Sequence, residues 1–592
     1  MSDNKKFNFK LFARLLNYVL PYKINFAFLS VAAILISVFS ILNQYLLKEA
    51  VDKYITPKDY EGLIFIISVM LGVLLFQVTF QFLFVFLANI LGQKVVYDIR
   101  IKLFARIIKF KMSYYDKSSV GRLVTRSVND METIASIFSQ GLFMIVADLI
   151  LMLSVLSVMI FLSIELSLIV FVILPFILIA TRLFQRAMKV AFNEVRNEVA
   201  NLNSFVQERI SGIKEIQVFN RENIERENFV KINTKHKNAW LKTVWYNSIF
   251  FPIAEISTSI TIGLLVWYGG GLVGLSQTSV TLGTIFLFIQ LSQMLFRPLR
   301  QIADKFNTLQ MGMVAANRVF KILDTSDFIV DNGENNPKKI EGKVSFKNIY
   351  FSYDSKNPVF KNFSLDINSG EKVAIVGSTG SGKTTIINLL LRFYDIDNGD
   401  ILIDKRNIKE MSIEFLRSQI SLVTQNIFLF ADSIYNNIVL HNKNITKEEV
   451  IVAAKKIGIH NFIMKLPGGY DYNVKERGVM LSEGQKQLIS FLRAYVSNPS
   501  ILILDEATSS IDSKTEKLIQ YATSKIIQNK TSIIIAHRLS TILNSDKIIV
   551  LENGKIVESG SHKHLISLED GFYKKLYELQ FQKDELITEV IQ

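Results

Sequence analysis

Residues 376–387 read Val-Gly-Ser-Thr-Gly-Ser-Gly-Lys-Thr-Thr-Ile-Ile and satisfy G-x-x-x-x-G-K-[ST] through Gly377, Gly382, Lys383 and Thr384. An apolar strand pattern at 372–376 precedes the run, and an apolar helix pattern at 384–391 follows it. That strand, loop and helix context gives the motif its meaning. Glycines let the backbone curl until successive N–H groups point inward, and the following helix offers its partially positive N-terminus to the same point. Gly377, Ser378, Thr379, Gly380, Ser381, Gly382, Lys383, Thr384 and Thr385 are therefore expected to cradle a polyphosphate. Lys383 is placed to reach the β- and γ-phosphates, and the Thr384 hydroxyl to sit on Mg²⁺. Downstream, Ile501, Leu502, Ile503 and Leu504 form an apolar strand ending in Asp505 and Glu506. A buried strand delivering two adjacent acids suits Asp505 as the Mg²⁺ partner and Glu506 as the general base toward an attacking water.

A chain of 592 residues exceeds one hydrophobic core. Its 49% hydrophobic content and mean hydropathy of +0.28 are high for a soluble enzyme. The average is partitioned: long apolar runs fill 24–300, and the remainder has the composition of an ordinary α/β domain. The net charge of +14 lies largely between apolar runs, as the positive-inside rule produces, so nucleic acid is not the expected partner. With no cysteine, disulfides and thiolate chemistry are excluded. The N-terminus carries Lys5, Lys6, Lys10, Arg14 and Lys23 without the short apolar core of a cleaved signal.

The stretch 7–20 has apolar residues at helical spacing and reads as an interfacial helix ended by Pro21. Six spans follow, at about 24–47, 63–91, 138–162, 166–184, 246–267 and 280–296. The last pair is separated by a turn-rich run, Gly269, Gly270, Gly271 and Gly274. The segments between spans two and three and between four and five are strongly basic, while the third-to-fourth and fifth-to-sixth connections hold no Lys or Arg. Both termini and the two basic segments are thus expected on the cytoplasmic side. These segments, of about 45 and about 60 residues, carry helical periodicity and predict stalks continuing beyond the bilayer, with tips near 114–121 and 211–216. Asp148, Glu255 and Gln290 fall within spans, where each either lines a substrate path or pairs with a neighbouring helix. Glu255, close after Pro252, is the stronger candidate, for a cationic substrate.

Between the phosphate loop and the acidic pair lies Leu481-Ser482-Glu483-Gly484-Gln485. With it, the chain resembles an exporter-type half-transporter of the ABC family over nearly its whole length. The resemblance implies a six-span membrane α-helical domain (1–323), a linker (324–342) and an α/β P-loop ATPase domain with a helical subdomain (343–592). It implies that Tyr353 stacks on adenine, that Gln425 senses Mg²⁺, and that His537 contacts the γ-phosphate. Lys475-Glu476-Arg477-Gly478 resembles the X-loop, Ser510-Ile511-Asp512 the D-loop, and Tyr114-Tyr115-Asp116 with Gly121-Arg122 the first coupling helix. It further implies that two chains pair head to tail. Ser482, Glu483, Gly484, Gln485 and Asp512 then serve the partner's nucleotide, with ATP and Mg²⁺ as cofactors.

One position departs from the family pattern: Glu483 stands where glycine is usual. A carboxylate about 4 to 6 Å from a γ-phosphate is repulsive by a few kcal/mol at an effective dielectric of about 20. A slow site built from this signature resembles the heterodimeric bacterial exporters, so a sibling half-transporter is favoured over a second copy. The function implied is ATP-driven export of amphipathic substrates, drug-like or lipid, through the cytoplasmic membrane. A lipid floppase and an ATP-gated channel or regulatory subunit are the alternatives.

Overall fold

The computed structural model describes residues 8–274, 280–331, 333–334, 336–337, 340–354, 356–505, 513–535 and 539–580. The chain forms two compact units. One comprises the chain up to Ile108 with Val120–Thr325; the other comprises Lys109–Ser119 with the chain from Ser326.

The first unit is built on α1 (Lys23–Ala50), α2 (Tyr60–Ile107), α3 (Phe143–Leu162), α4 (Ile164–Ser211), α5 (Glu222–Gly274) and α6 (Leu282–Asp324). Among the described residues, six segments are long and apolar enough to cross a membrane. The 48-residue α2 and α4 and the 53-residue α5 far exceed a bilayer crossing. At ~1.5 Å per residue, 48 residues span ~72 Å, against ~30 Å of hydrocarbon. Beyond the apolar stretch α4 and α5 stay side by side. Phe184 stacks on Phe250 at 4.0 Å, Lys242 pairs with Glu194 at 2.6 Å, and Arg209 pairs with Glu225 at 2.6 Å. Gly212 breaks α4, and a six-residue helix, Ile213–Val218, forms the tip.

One expectation changes in this unit. The glycine run is not a turn: Gly269, Gly270, Gly271 and Gly274 lie inside α5. A helix closes its own backbone hydrogen bonds, which hydrocarbon requires. Gly269 also lets α6 approach, since a Cβ there would meet Ile285 Cγ1 at 3.0 Å. The N-terminal helix, Phe9–Asn17, is docked on the end of α6. Leu15 is fully buried, and Arg14 forms two hydrogen bonds to Asp324, at 2.6 and 2.7 Å, while lying 4.3 Å over the Phe320 ring. The hydrogen bond from Arg14 holds the Asp324 carboxyl below the usual carboxylate range. A second internal ion cluster centres on buried Asp130, which accepts from Arg318 at 2.6 and 3.1 Å and from Arg126 at 2.8 Å.

The second unit packs two sheets. The antiparallel one has order β2-β1-β4-β5, with β1 Val344–Ser352, β2 Pro358–Ile367, β4 Asn398–Ile403 and β5 Arg406–Asn407. The other has order β10-β9-β3-β8-β7-β6, from β3 Lys372–Gly377, β6 Ile420–Val423, β7 Ile501–Asp505, β8 Thr531–Ile535, β9 Lys547–Glu552 and β10 Lys555–Gly560. Strands β6, β7, β8, β3 and β9 run parallel, so their carboxyl ends share one edge, where α/β sheets bind ligands. Helix α7 (Lys383–Leu390) packs with both sheets through Ile386, Leu389 and Leu390, all fully buried. A second core holds the helical subdomain, including α8 (Glu483–Val496). The polar stretch after Thr325 lies along this unit: Asp331 accepts from the Ile413 amide at 3.1 Å, and Asn336 from the Ser412 amide at 3.1 Å.

Candidate nucleotide-binding site

The phosphate loop joins β3 to α7, and three of its glycines are required for different reasons. A Cβ on Gly377 would lie 2.2 Å from the Leu551 carbonyl oxygen, and one on Gly382, at φ 106°, would lie 2.9 Å from the Phe360 ring. Gly380, at φ 85°, faces open space, as a loop closing around phosphates needs. Ser381 is buried, with its hydroxyl unpartnered by the protein. Lys383 Nζ donates to the Gly377 and Ser378 carbonyls at 2.7 and 2.9 Å, which holds the ammonium across the loop. Burial pulls its pKa below the ordinary lysine value, while the charge of Asp505 pushes the other way. Thr384 is exposed at the start of α7 and Thr385 is buried beneath it.

Asp505 ends β7, and Gln425 is exposed just past β6, the next strand. Val423 is level with Leu504, so Gln425 and Asp505 emerge at the same sheet edge as the loop. Among the described residues no group of three or more His, Asp or Glu side chains could hold a metal alone. The donors present suit Mg²⁺, which is held by one or two carboxylates or hydroxyls together with phosphate oxygens and water. Glu506, Ser510, Ile511, Asp512 and His537 lie outside the described residues.

Tyr353 is 42% exposed beside the loop. Its hydroxyl donates to Thr385 Oγ1 at 3.3 Å and accepts from Asn388 Nδ2 at 3.0 Å, leaving ring surface accessible to a planar base. Edge-on against it, at 5.0 Å between centroids, stands Tyr394, whose hydroxyl donates to Asp116. Burial first, and then this hydrogen bond, raise the Tyr394 pKa above its usual value. Asp116 belongs to the helix Met112–Lys117. That helix is held in the same unit by a Lys111 amide bond to the Asp327 carbonyl at 3.0 Å, and by Phe110 stacked on Phe328 at 5.9 Å. The expected first tip, Tyr114-Tyr115-Asp116, therefore folds with the ATPase unit. Tyr394 lies 278 positions from Asp116, and sequence spacing gives no signal for it.

Ser482 caps α8 through a capping box: its oxygen accepts from the Gln485 amide at 3.3 Å, and Gln485 Oε1 accepts from the Ser482 amide at 3.0 Å. Gly484 is buried and Glu483 is the first residue of the helix, where a carboxylate suits the helix dipole. The Glu483 side chain is 64% exposed and accepts from Lys486 Nζ at 2.9 Å. That partner was missed, although its i, i+3 spacing was visible. It offsets part of the repulsion expected of Glu483. The X-loop turn, Glu476–Gly478, has positive φ at Arg477 and Gly478, as does Lys475 just before it.

The proposed substrate-path residues are not brought together. Asp148 is ion-paired with Lys305, about four-fifths shielded from solvent on both sides. Glu255 is exposed on α5 and Gln290 is half-buried on α6. None of the three lines the large cavity of this unit, whose described walls hold Arg182, Arg186, Lys189 and Arg297. Asp148 thus takes the second of its two expected roles, pairing with a neighbouring helix; which side chains face this cavity depends on rotation of α4, α5 and α6 about their axes, which residue depth along a span does not reveal.

Sheet order, phosphate loop and signature helix define an ATP-binding unit of the ABC class, on one chain whose described residues include six helices long and apolar enough to cross a membrane. Residues 26–299 match the ABC transporter transmembrane region and residues 360–509 match the ABC transporter family. The chain belongs to the ABC transporter family, as an exporter-type half-transporter. It is 36% identical over 585 residues to the ABC transporter ATP-binding protein YknV of Bacillus subtilis, covering 98% of this chain and 96% of the relative. It is 35% identical over 581 residues to an ATP-dependent lipid A-core flippase of Syntrophus aciditrophicus, with 98% and 96% covered. It is 37% identical over 577 residues to a putative multidrug export ATP-binding/permease protein of Staphylococcus aureus, with 96% and 99% covered.

Proposed function

We propose that this chain hydrolyses ATP to drive amphipathic molecules, drug-like or lipid, across the cytoplasmic membrane as one half of a dimeric exporter. The observation that carries this is the fold of residues 109–119. They leave the membrane-crossing α2, pack with the ATPase unit through Asp116 and Tyr394, and return to the membrane unit at Val120. Movement of the ATPase unit can thereby pass through this hydrogen-bonded segment to the helices it is continuous with.

In this account the loop amides and Lys383 bind the polyphosphate, and Tyr353 orients the base. Thr384, Gln425 and Asp505 would hold Mg²⁺, and the ion would supply positive charge to the β- and γ-phosphates. Glu506 takes the proton of the attacking water, and His537 fixes the terminal phosphate. Ser482, Gly484 and Gln485 donate to the nucleotide of the opposing chain, and Asp512 completes that contact. Several charge-assisted hydrogen bonds close the sandwich while ATP is intact, and hydrolysis releases them. The opposing chain is a sibling half-transporter, because Glu483 adds a negative charge where a partner's signature has none.

Relatives named for multidrug export and for lipid A-core flipping support both amphipathic classes. The test is ATP-dependent accumulation of a fluorescent amphiphile in proteoliposomes holding the assembled transporter. Turnover of ATP with no net movement would leave only the gate or regulatory alternative.

A further inference from the structure

The membrane unit holds an open cavity of about 1570 Å³ lined mainly from α4, α5 and α6. Arg182, Arg186, Lys189 and Arg196 recur on α4 at steps of four, three and seven, which places them on one face along ~21 Å of helix. Arg297 enters from α6. Among the described lining residues there is no Asp or Glu. Other basic side chains of this unit find acids: Lys242 with Glu194, Lys305 with Asp148, and Arg318, which lines the same cavity, with Asp130. Among the described residues, no acidic partner meets Arg182, Arg186, Lys189 or Arg297. Phe184, Phe250 and Phe251 line the same cavity, with Phe184 and Phe250 stacked at 4.0 Å.

We propose that this cavity holds the phosphate headgroup of an anionic amphiphile, whose apolar body lies against the phenylalanines. The inference deepens the export function by naming the substrate class. Guanidinium groups match a phosphate bidentately, and four cations lining one cavity with no acidic partner among the described residues favour a multiply charged anion over a zwitterion. The aromatic wall separates this chemistry from that of a free phosphate, for which apolar contact would contribute nothing. A merely topological role for these cations, holding the flank of a span on one side of the membrane, requires no convergence on a cavity.

The assembled full-length transporter, in nanodiscs of zwitterionic phosphatidylcholine and without ATP, is titrated with fluorescent lysophosphatidic acid and with equally labelled lysophosphatidylcholine. The lysophosphatidic acid is expected to bind at least about 10-fold more tightly. The triple variant R182Q/R186Q/R297Q abolishes the preference while keeping lysophosphatidylcholine binding, which also reports that it is folded. Removing equal charge from the exposed stalk, in K231Q/K235Q/K237Q, leaves the preference intact. If the triple variant fails to fold, R297Q alone reduces the preference at least about threefold. Equal binding of the two lipids, an unchanged preference in the cavity variants, or an equal loss in the stalk variant would overturn the proposal. Displacement of the probe by glycerol 3-phosphate at the probe's own concentration would show a free-anion site instead, and also overturns it. Because the titration needs no ATP, a preference without ATP-driven accumulation defeats the export function alone, and accumulation without a preference defeats this inference alone.

Discussion

Replacing Tyr394 with phenylalanine separates the docking of residues 109–119 from the chemistry of ATP. The ring contacts to Tyr353 at 5.0 Å and Phe351 at 6.0 Å survive, and only the hydrogen bond to Asp116 is lost. A hydrogen bond to a charged acceptor contributes about 1.5–3 kcal/mol when shielded. Asp116 is exposed, so about 1–1.4 kcal/mol is the appropriate figure. That shifts the docked population about five- to tenfold. The Lys111 amide, bonded to the Asp327 carbonyl at 3.0 Å, reports docking directly. Hydrogen exchange at Lys111 in Y394F should therefore speed up about five- to tenfold. ATP affinity stays within about twofold, because no phosphate contact changes, and amphiphile movement per ATP hydrolysed falls. Unchanged exchange at Lys111 together with an unchanged transport-to-hydrolysis ratio would refute the coupling role of this bond.

K383A removes the one ammonium placed across the phosphate loop, and ATPase activity should drop at least about 100-fold in a steady-state assay. E483G should raise turnover of the assembled transporter about threefold or more, with the gain restrained because Lys486 already offsets the carboxylate. D130N leaves Arg318 and Arg126 facing each other without their shared acid. Thermal unfolding of the solubilised chain should show about 2–3 kcal/mol lost, less than for a fully buried pair because Arg318 is 41% exposed. Burial lowers the pKa of His562, whose Nδ1 lies 2.7 Å from the Tyr573 hydroxyl. The unfolded chain then takes up this proton first as pH falls, so the stabilisation is complete above about 6.5 and is lost below it. Melting of the wild-type chain between pH 7.5 and 5.5 should accordingly fall more than that of H562N.

The nucleotide site was legible because its chemistry is local. A strand, Gly377 to Thr384 and a helix are contiguous, and the strand ending in Asp505 announces itself as an apolar run closed by acids. The spans and their long extensions were legible for the same reason. What escaped depends on rotation and distance. Arg186 and Lys189 counted as loop charge and Arg182 fell at the end of the fourth span, because only helix orientation reveals that the three share a wall with Arg297. The pairing of Asp148 with Lys305, 157 positions away, and of Asp130 with Arg318, 188 away, follows from packing. The glycines after Trp267 looked like a turn because glycine is a poor helix former in water. Hydrocarbon reverses that preference by penalising every unpaired peptide group.

The central claim is that ATP turnover on this chain, and not its occupancy, moves a molecule across a bilayer. The most direct measurement compares wild type with E506Q in inside-out proteoliposomes, following ATP-dependent uptake of a fluorescent amphiphile alongside equilibrium ATP binding. Both proteins should bind ATP, and only the wild type should accumulate the amphiphile against its gradient. Equal accumulation by E506Q would contradict the account.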